Sequence, residues 1–369
     1  MMVFDADGHI LEPEEMFNEL EPEFYPHRPV RVSLPFDTYR GKRDACWLIG
    51  GQAWPSMDGR GPNFFLPGDS HSRSMSVPVE YQTLADVEGR LKDMDRYGID
   101  KQIVFPTLFL IAVAEEARLE AAYYRAYNNF VGRACARSGG RLKWAALIPF
   151  RDPELAQQEL RRASDLGASA ILTLGMVWDR CLNDPAFSPI FQGAADLDLP
   201  VCVHFGWGSP VLTNLFTGSG TSFCSATTPV LWAFYHILLS GVLDCVPKLR
   251  VGFLESGGGW VPYLIDQVRR RLKPQTVLLS SKPGGREVAG DPLKYFEDGR
   301  LFVACESDED LPYLVSKVGE DSLMLASDYP HADPSADEEF VKRVMGLEGL
   351  TTSVKEKLLG ANAERFFRS

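Results

Sequence analysis

Short apolar runs alternate with longer amphipathic stretches along this chain. Eight runs read as strands: Met2–Asp7, Lys101–Pro106, Leu142–Pro149, Ala168–Leu174, Pro200–His204, Leu249–Glu255, Leu301–Cys305 and Leu323–Asp328. Their length and β-branched content suit buried strands. Between them, Ala85–Tyr97, Glu115–Arg137 and Pro153–Leu166 carry apolar residues at helical spacing. Asp152-Pro153 and Asn183-Asp184-Pro185 supply a capping acid or amide followed by proline, a helix-start signal. Strands that alternate with helices pair in parallel through right-handed crossovers. Eight such units predict a distorted (β/α)8 TIM barrel. An open doubly wound sheet is the alternative, but no GxGxxG follows the first strand.

The spacing is uneven. Leu11–Val79 holds Trp47, Trp54, Pro55, Arg60, Phe64 and Phe65 among glycines and prolines. A stretch this long between strand and helix predicts an inserted lid, about residues 11–79, over the barrel mouth. Residues 1–369 are otherwise expected to form one barrel domain. Gly206–Pro229 and Lys273–Asp298 are two further excursions.

Composition narrows the class. The 369 residues are 45% hydrophobic and 24% charged, with a net charge of −12 and no basic block. Nucleic acid and anionic membranes are therefore not expected as partners. The seven cysteines include no CxxC pair, which suits buried thiols in a reducing compartment. The first residues are acidic where a signal peptide would be basic, so a cytoplasmic location is expected. Val230–Val246 is the longest apolar stretch, but His236, Ser240, Gly241 and Asp244 interrupt it. It reads as a buried helix rather than a membrane span.

Strand ends carry the chemistry. Asp5-Ala6-Asp7-Gly8-His9 closes the first strand, His204 the fifth, Glu255 the sixth and Asp328 the eighth. In parallel barrels these ends line the active site. Asp7 and His9 share a face by alternation, although Asp5 has the same parity and competes with Asp7. Imidazole and carboxylate together suit one divalent ion, with zinc expected and manganese or iron as alternatives. His331 follows Asp328 and is placed to orient it or to touch substrate. Arg60, Trp54 and Trp207 are candidates for substrate contact. Ser256-Gly257-Gly258-Gly259 has the look of a phosphate-cradling turn but lacks the P-loop lysine and hydroxyl, so no nucleotide is expected.

Three motifs, DADGHxxEP at the start, LPVCVHFG in the middle and ASDYPH near the end, resemble the amidohydrolase-related family typified by aminocarboxymuconate-semialdehyde decarboxylase. The resemblance covers nearly the whole chain outside Leu11–Val79. It implies a metal held by Asp7, His9, His204 and Asp328, a small-molecule substrate and a homodimer. Two positions depart from the family pattern. Asp7 stands where well-studied members have His or Glu. Glu255 stands where the family has a strand-6 histidine. Strand 4 ends in Ile171-Leu172-Thr173-Leu174, with no lysine to bridge two ions, so one metal is expected. The reading leans to hydrolysis of a small organic acid or ring compound, with Glu255 as general base on a metal-activated water. Nonoxidative decarboxylation at the same site is the alternative. A non-catalytic small-molecule binding protein is the second.

Overall fold

A computed structural model describes residues 1–34, 45–56, 62, 66–68, 77–215, 222–273, 290–332 and 334–368. Eight parallel strands form the central sheet: β1 (Phe4–Ile10), β2 (Lys101–Pro106), β3 (Leu142–Leu147), β4 (Ala170–Leu174), β5 (Val201–His204), β6 (Val251–Leu254), β7 (Leu301–Cys305) and β8 (Leu323–Leu325). They neighbour one another in chain order, the topology that successive right-handed crossovers produce. The ring closes between β1 and the end of β8. There the His9 N–H donates to Tyr329 O at 2.6 Å and the Asp328 N–H to Asp7 O at 2.9 Å.

The crossovers are α1 (Val87–Tyr97), α2 (Ala117–Ala136), α3 (Pro153–Asp165), α4 (Ser188–Asp196), α5 (Thr228–Ser240), α6 (Val261–Arg271) and α7 (Leu311–Val318). Several start where the sequence signals predict. The Asp152 carboxylate accepts from the N–H groups of Glu154 and Leu155, so it caps α3 ahead of Pro153. Helix α5 takes up the first part of the apolar stretch, to Ser240, and packs Phe234 on Phe253 and Trp260. Of the cysteines, Cys46, Cys135, Cys202 and Cys305 are buried, whereas Cys245 is exposed.

The bottom of the barrel is sealed by the final helix, Asn362–Phe367. Phe366 reaches Phe302 of β7 and crosses over Gly252 of β6. A Cβ at Gly252 would lie 2.6 Å from the Phe366 ring, so only glycine fits there.

The described part of the long excursion seats on α2 and on the loop after β2. It contains a three-stranded antiparallel sheet of Val30–Ser33, Ala45–Ile49 and Gln52–Trp54. Trp47 packs on Phe17, and Phe17 packs on Phe109 and Tyr123. The Tyr123 hydroxyl donates to His27 O, and Arg125 Nη1 donates to Glu21 at 3.0 Å.

Candidate metal centre

Asp7 and His9 both lie on β1, but simple alternation does not describe that strand. Its register against β2 slips between Asp5 and Gly8, which adds one residue to β1. Asp5 therefore leaves the face that its parity would give it. Its carboxylate accepts from Gln102 Nε2 at 2.6 Å, from the Ser327 N–H at 2.8 Å and from the Ser327 hydroxyl. Asp7 is left to face the barrel axis with His9, which settles their competition.

Four further groups reach the same point. His204 is the last residue of β5. Glu255 follows β6 and has φ of +50°, and Asp328 follows β8 with φ of +53°. Non-glycine residues seldom adopt this left-handed region, and such strain gathers at functional sites. His331 lies three residues beyond Asp328.

The distances define one cluster. His9 Nε2 lies 3.1 Å from Asp7 Oδ1, 3.3 Å from Asp328 Oδ1 and 3.7 Å from Glu255 Oε2. His204 Nε2 lies 3.2 Å from Asp7 Oδ1 and 3.4 Å from Glu255 Oε2. Asp7, His9, His204 and Asp328 are each at most 2% exposed. Burial pushes the Asp7 carboxyl up, but positive charge beside it, carried by the His204 and His9 rings when they are protonated, outweighs burial and holds it well below the usual range.

The other ring nitrogens test whether a cation fits. His9 Nδ1 is 2.9 Å from Pro106 O, and His204 Nδ1 is 2.8 Å from Phe205 O. A backbone carbonyl only accepts, so in each ring Nδ1 carries the proton. In the neutral rings, both Nε2 lone pairs then aim at the Asp7 carboxylate, and that of His9 also at Asp328. Lone pairs facing carboxylates in a buried space are repulsive unless a cation sits between them. Two imidazoles with several carboxylates are a donor set that suits a divalent transition metal. In two overlapping groups, Asp7–His9–His204–Glu255 and His9–Glu255–Asp328–His331, the ligating atoms all lie within 4.8 Å of one another.

His331 is built into the support of this cluster. Its ring stacks on His9 with centroids 4.0 Å apart. Nδ1 lies 2.8 Å from Asp328 Oδ1, and Nε2 lies 2.8 Å from Thr107 Oγ1. Burial, followed by the nearby His9 ring, holds the imidazole well below its usual pKa. The ring is thus neutral and orients Asp328. Glu12 in turn fixes Thr107: its carboxylate accepts the N–H groups of Thr107 and Leu108 at 2.9 and 2.8 Å.

Sequence reading missed Arg90, which is fully buried on α1. Its Nε and Nη2 donate to Gln102 Oε1 at 3.0 and 2.6 Å, and Nη1 donates to His9 O at 3.2 Å. Its guanidinium lies 4.0 Å from the centroid of the Tyr329 ring. Arg90 thereby ties β1 to the segment after β8, where the barrel closes. Gly8 leaves room for this network, since a Cβ there would lie 2.4 Å from Gln102. The only sequence trace was an arginine on the apolar side of an amphipathic helix.

The glycine turn after β6 has an internal occupant. The Glu309 carboxylate accepts from the N–H groups of Gly258, Gly259 and Glu306. A carboxylate from the loop after β7 thus fills the place where an anion would bind, in keeping with the absence of a nucleotide motif.

Trp207 lies three residues past His204 and is 7% exposed. Its ring packs on Phe205, and its backbone pairs with the loop after β2 through Leu110 O and the Ala112 N–H. Trp54 pairs with Trp47 in the small sheet. Arg60 lies outside the described residues. A small cleft opens beside the cluster, lined by Asp7, Glu255, Cys305 and Asp328 among others.

The amidohydrolase family model matches residues 5–369. The chain belongs to the amidohydrolase family. It is 25% identical over 297 residues to the 2-amino-3-carboxymuconate-6-semialdehyde decarboxylase of Dictyostelium discoideum, covering 76% of each chain. It is 22% identical to a gamma-resorcylate decarboxylase of Rhizobium sp., over 82% of this chain and 92% of the relative. Among solved structures it resembles 5-carboxyvanillate decarboxylase of Novosphingobium aromaticivorans, complexed with manganese and 4-hydroxy-3-methoxy-5-nitrobenzoic acid. That likeness has a TM-score of 0.69 at 18% identity, covering 100% of this chain and 96% of the other. The chain is an enzyme of the amidohydrolase superfamily on a TIM-barrel fold.

Proposed function

We propose that this enzyme is a metal-dependent nonoxidative decarboxylase of a small unsaturated or aromatic carboxylic acid. The observation that supports the metal dependence is the buried pair of His9 and His204, whose Nε2 atoms converge on Asp7 and Glu255. Asp7, His9, His204 and Asp328 would hold one divalent ion. Zinc, manganese and iron all suit these donors, and manganese accompanies a related decarboxylase. When bound, the ion supplies Lewis-acid attraction for the anionic oxygens of the substrate.

The residues of the chain do the rest. The strand ends fix the acid over the cleft with its carboxylate-bearing carbon toward Glu255. Protonated Glu255 gives its proton to that carbon. The bond to the carboxylate then breaks, its electron pair stays with the carbon framework, and CO₂ leaves with no net oxidation or reduction. Glu255 regains a proton from solvent. The surrounding burial limits water at the reacting carbon. The sequence leaned to hydrolysis, in which Glu255 would instead take a proton from water. Decarboxylation is preferred because the curated relatives described above are decarboxylases.

Glu255→Gln tests the assignment. It keeps the shape of the side chain but cannot carry the proton. Turnover should fall about a hundredfold or more, with metal content retained. Loss of the metal would instead make Glu255 a ligand, and unchanged turnover would remove it from the reaction.

A further inference from the structure

The cleft beside the metal centre lies toward β6–β8. A second, larger space opens toward the ends of β2, β3 and β4. Leu174 on its wall pairs in register with His204 on the neighbouring strand, so the space borders the strand next to the one that carries a proposed ligand. Gly208, four residues beyond His204, lies on the same wall.

Phe109, Tyr124, Phe150, Leu174, Met176 and Trp178 are among the mostly apolar residues that line it. Among the described residues Glu120 is the one charged residue on that wall, and its charge is matched. Arg151 Nη1 donates to Glu120 Oε2 at 3.0 Å and Trp178 Nε1 donates to the same oxygen at 3.2 Å. The Arg151 guanidinium lies 4.1 Å from the Trp178 ring centroid, so it is committed on both sides. Trp178 has φ of +52° at the tip of a hairpin whose strands are Met176–Val177 and Arg180–Cys181. A bulky residue held in that conformation marks a wall that is built, since a slack loop would relax out of it.

We propose that this cavity seats an uncharged hydrophobic arm of the substrate, whose carboxylate end reacts at the neighbouring metal centre. The preferred substrate is then an aromatic monocarboxylate with an alkyl or aryl substituent. Among the described residues of this wall, a second carboxylate finds no uncommitted cation and meets Glu120. Burial raises the Glu120 carboxyl even beside Arg151, in keeping with a dry surround. The identity of the reacting end rests on the decarboxylase reading; the arm does not.

Two measurements on the metal-loaded enzyme separate these claims. The first compares decarboxylation of 2,4-dihydroxybenzoates with methyl, propyl or pentyl at position 6. The second compares binding of resorcinol with that of 5-pentylresorcinol by calorimetry. Each buried methylene is expected to contribute about fourfold. The pentyl compounds should therefore gain at least about tenfold in kcat/KM over methyl, and in affinity over resorcinol. Ala112→Phe, which fills the cavity from the loop after β2, should bring both ratios toward one. Turnover of all three acids with no chain-length preference would overturn the arm pocket and leave the decarboxylase reading standing. Tight pentylresorcinol binding, lost in Ala112→Phe, with no acid decarboxylated, would support the pocket and count against the decarboxylase. Equal binding of the two resorcinols would overturn the pocket whether or not the variant folds.

Discussion

Glu309 and Gly258 join the loops after β7 and β6: both oxygens of the Glu309 carboxylate accept the Gly258 N–H, at 3.0 and 2.8 Å. Gly258 lies three residues past Glu255, so this contact fixes the turn that carries the proposed proton donor. Gly257 between them has φ of +64°, a conformation that glycine adopts without steric cost.

Glu309→Gln puts an amide NH₂ where one accepting oxygen had been, against backbone N–H groups. Loosening the turn should lower kcat about tenfold, equivalent to roughly 1.4 kcal/mol of barrier, with KM nearly unchanged and metal content intact. Steady-state kinetics with metal analysis check this. A rise in KM at constant kcat would assign Glu309 to substrate binding instead.

His331 predicts a metal-affinity effect. A supporting residue that orients a ligand typically contributes 10- to 100-fold in affinity. His331→Phe keeps a ring against His9 but loses the nitrogen beside Asp328. In a chelator competition the variant should release metal about ten to a hundred times more readily. Equal retention would mean that Asp328 needs no orienting partner.

Glu12 predicts a pH effect on stability. Burial raises its carboxyl to about 7, although the N–H groups of Leu108 and Thr107 oppose the rise. A raised acid binds its proton more tightly in the folded state than in the unfolded chain, where the value is 4.5. Its stabilising contribution is complete below about 4.5 and is lost as pH rises through about 7, by roughly 3 kcal/mol in total. Asp5, raised to about 6 by burial, acts in the same direction and remains in both proteins compared. Urea unfolding across this range should therefore show a flatter loss of stability with pH for Glu12→Gln than for the parent. Parallel slopes would show that Glu12 does not titrate there.

Much of the barrel was legible from local pattern. β2 and β7 run over the same residues as the apolar runs that predicted them, and Asp152-Pro153 marked the start of α3. The residues at strand ends were legible too, because the fold gathers those ends at one mouth. Contacts between distant segments were not. Asp5 and Asp7 are equivalent by alternation, and only the extra residue in β1 separates them. Arg90 acquires its partners from strands on either side of the barrel closure. Glu309 looks like any surface acid until the glycine turn is folded against it. The left-handed backbone at Glu255 and Asp328 leaves no signature in residue type.

The central claim is that the bond broken is the one to the carboxylate, with a solvent proton taking its place. The most direct test follows an accepted aromatic acid, beginning with 2,6-dihydroxybenzoate, in parallel reactions in D₂O and in ¹⁸O-labelled water, with product mass spectrometry and CO₂ measurement. The account predicts one CO₂ per turnover and one deuterium on the ring carbon that bore the carboxylate. It predicts no ¹⁸O in the ring product beyond exchange controls. Incorporation of ¹⁸O into the organic product, with no CO₂ released, would contradict it and establish hydrolysis.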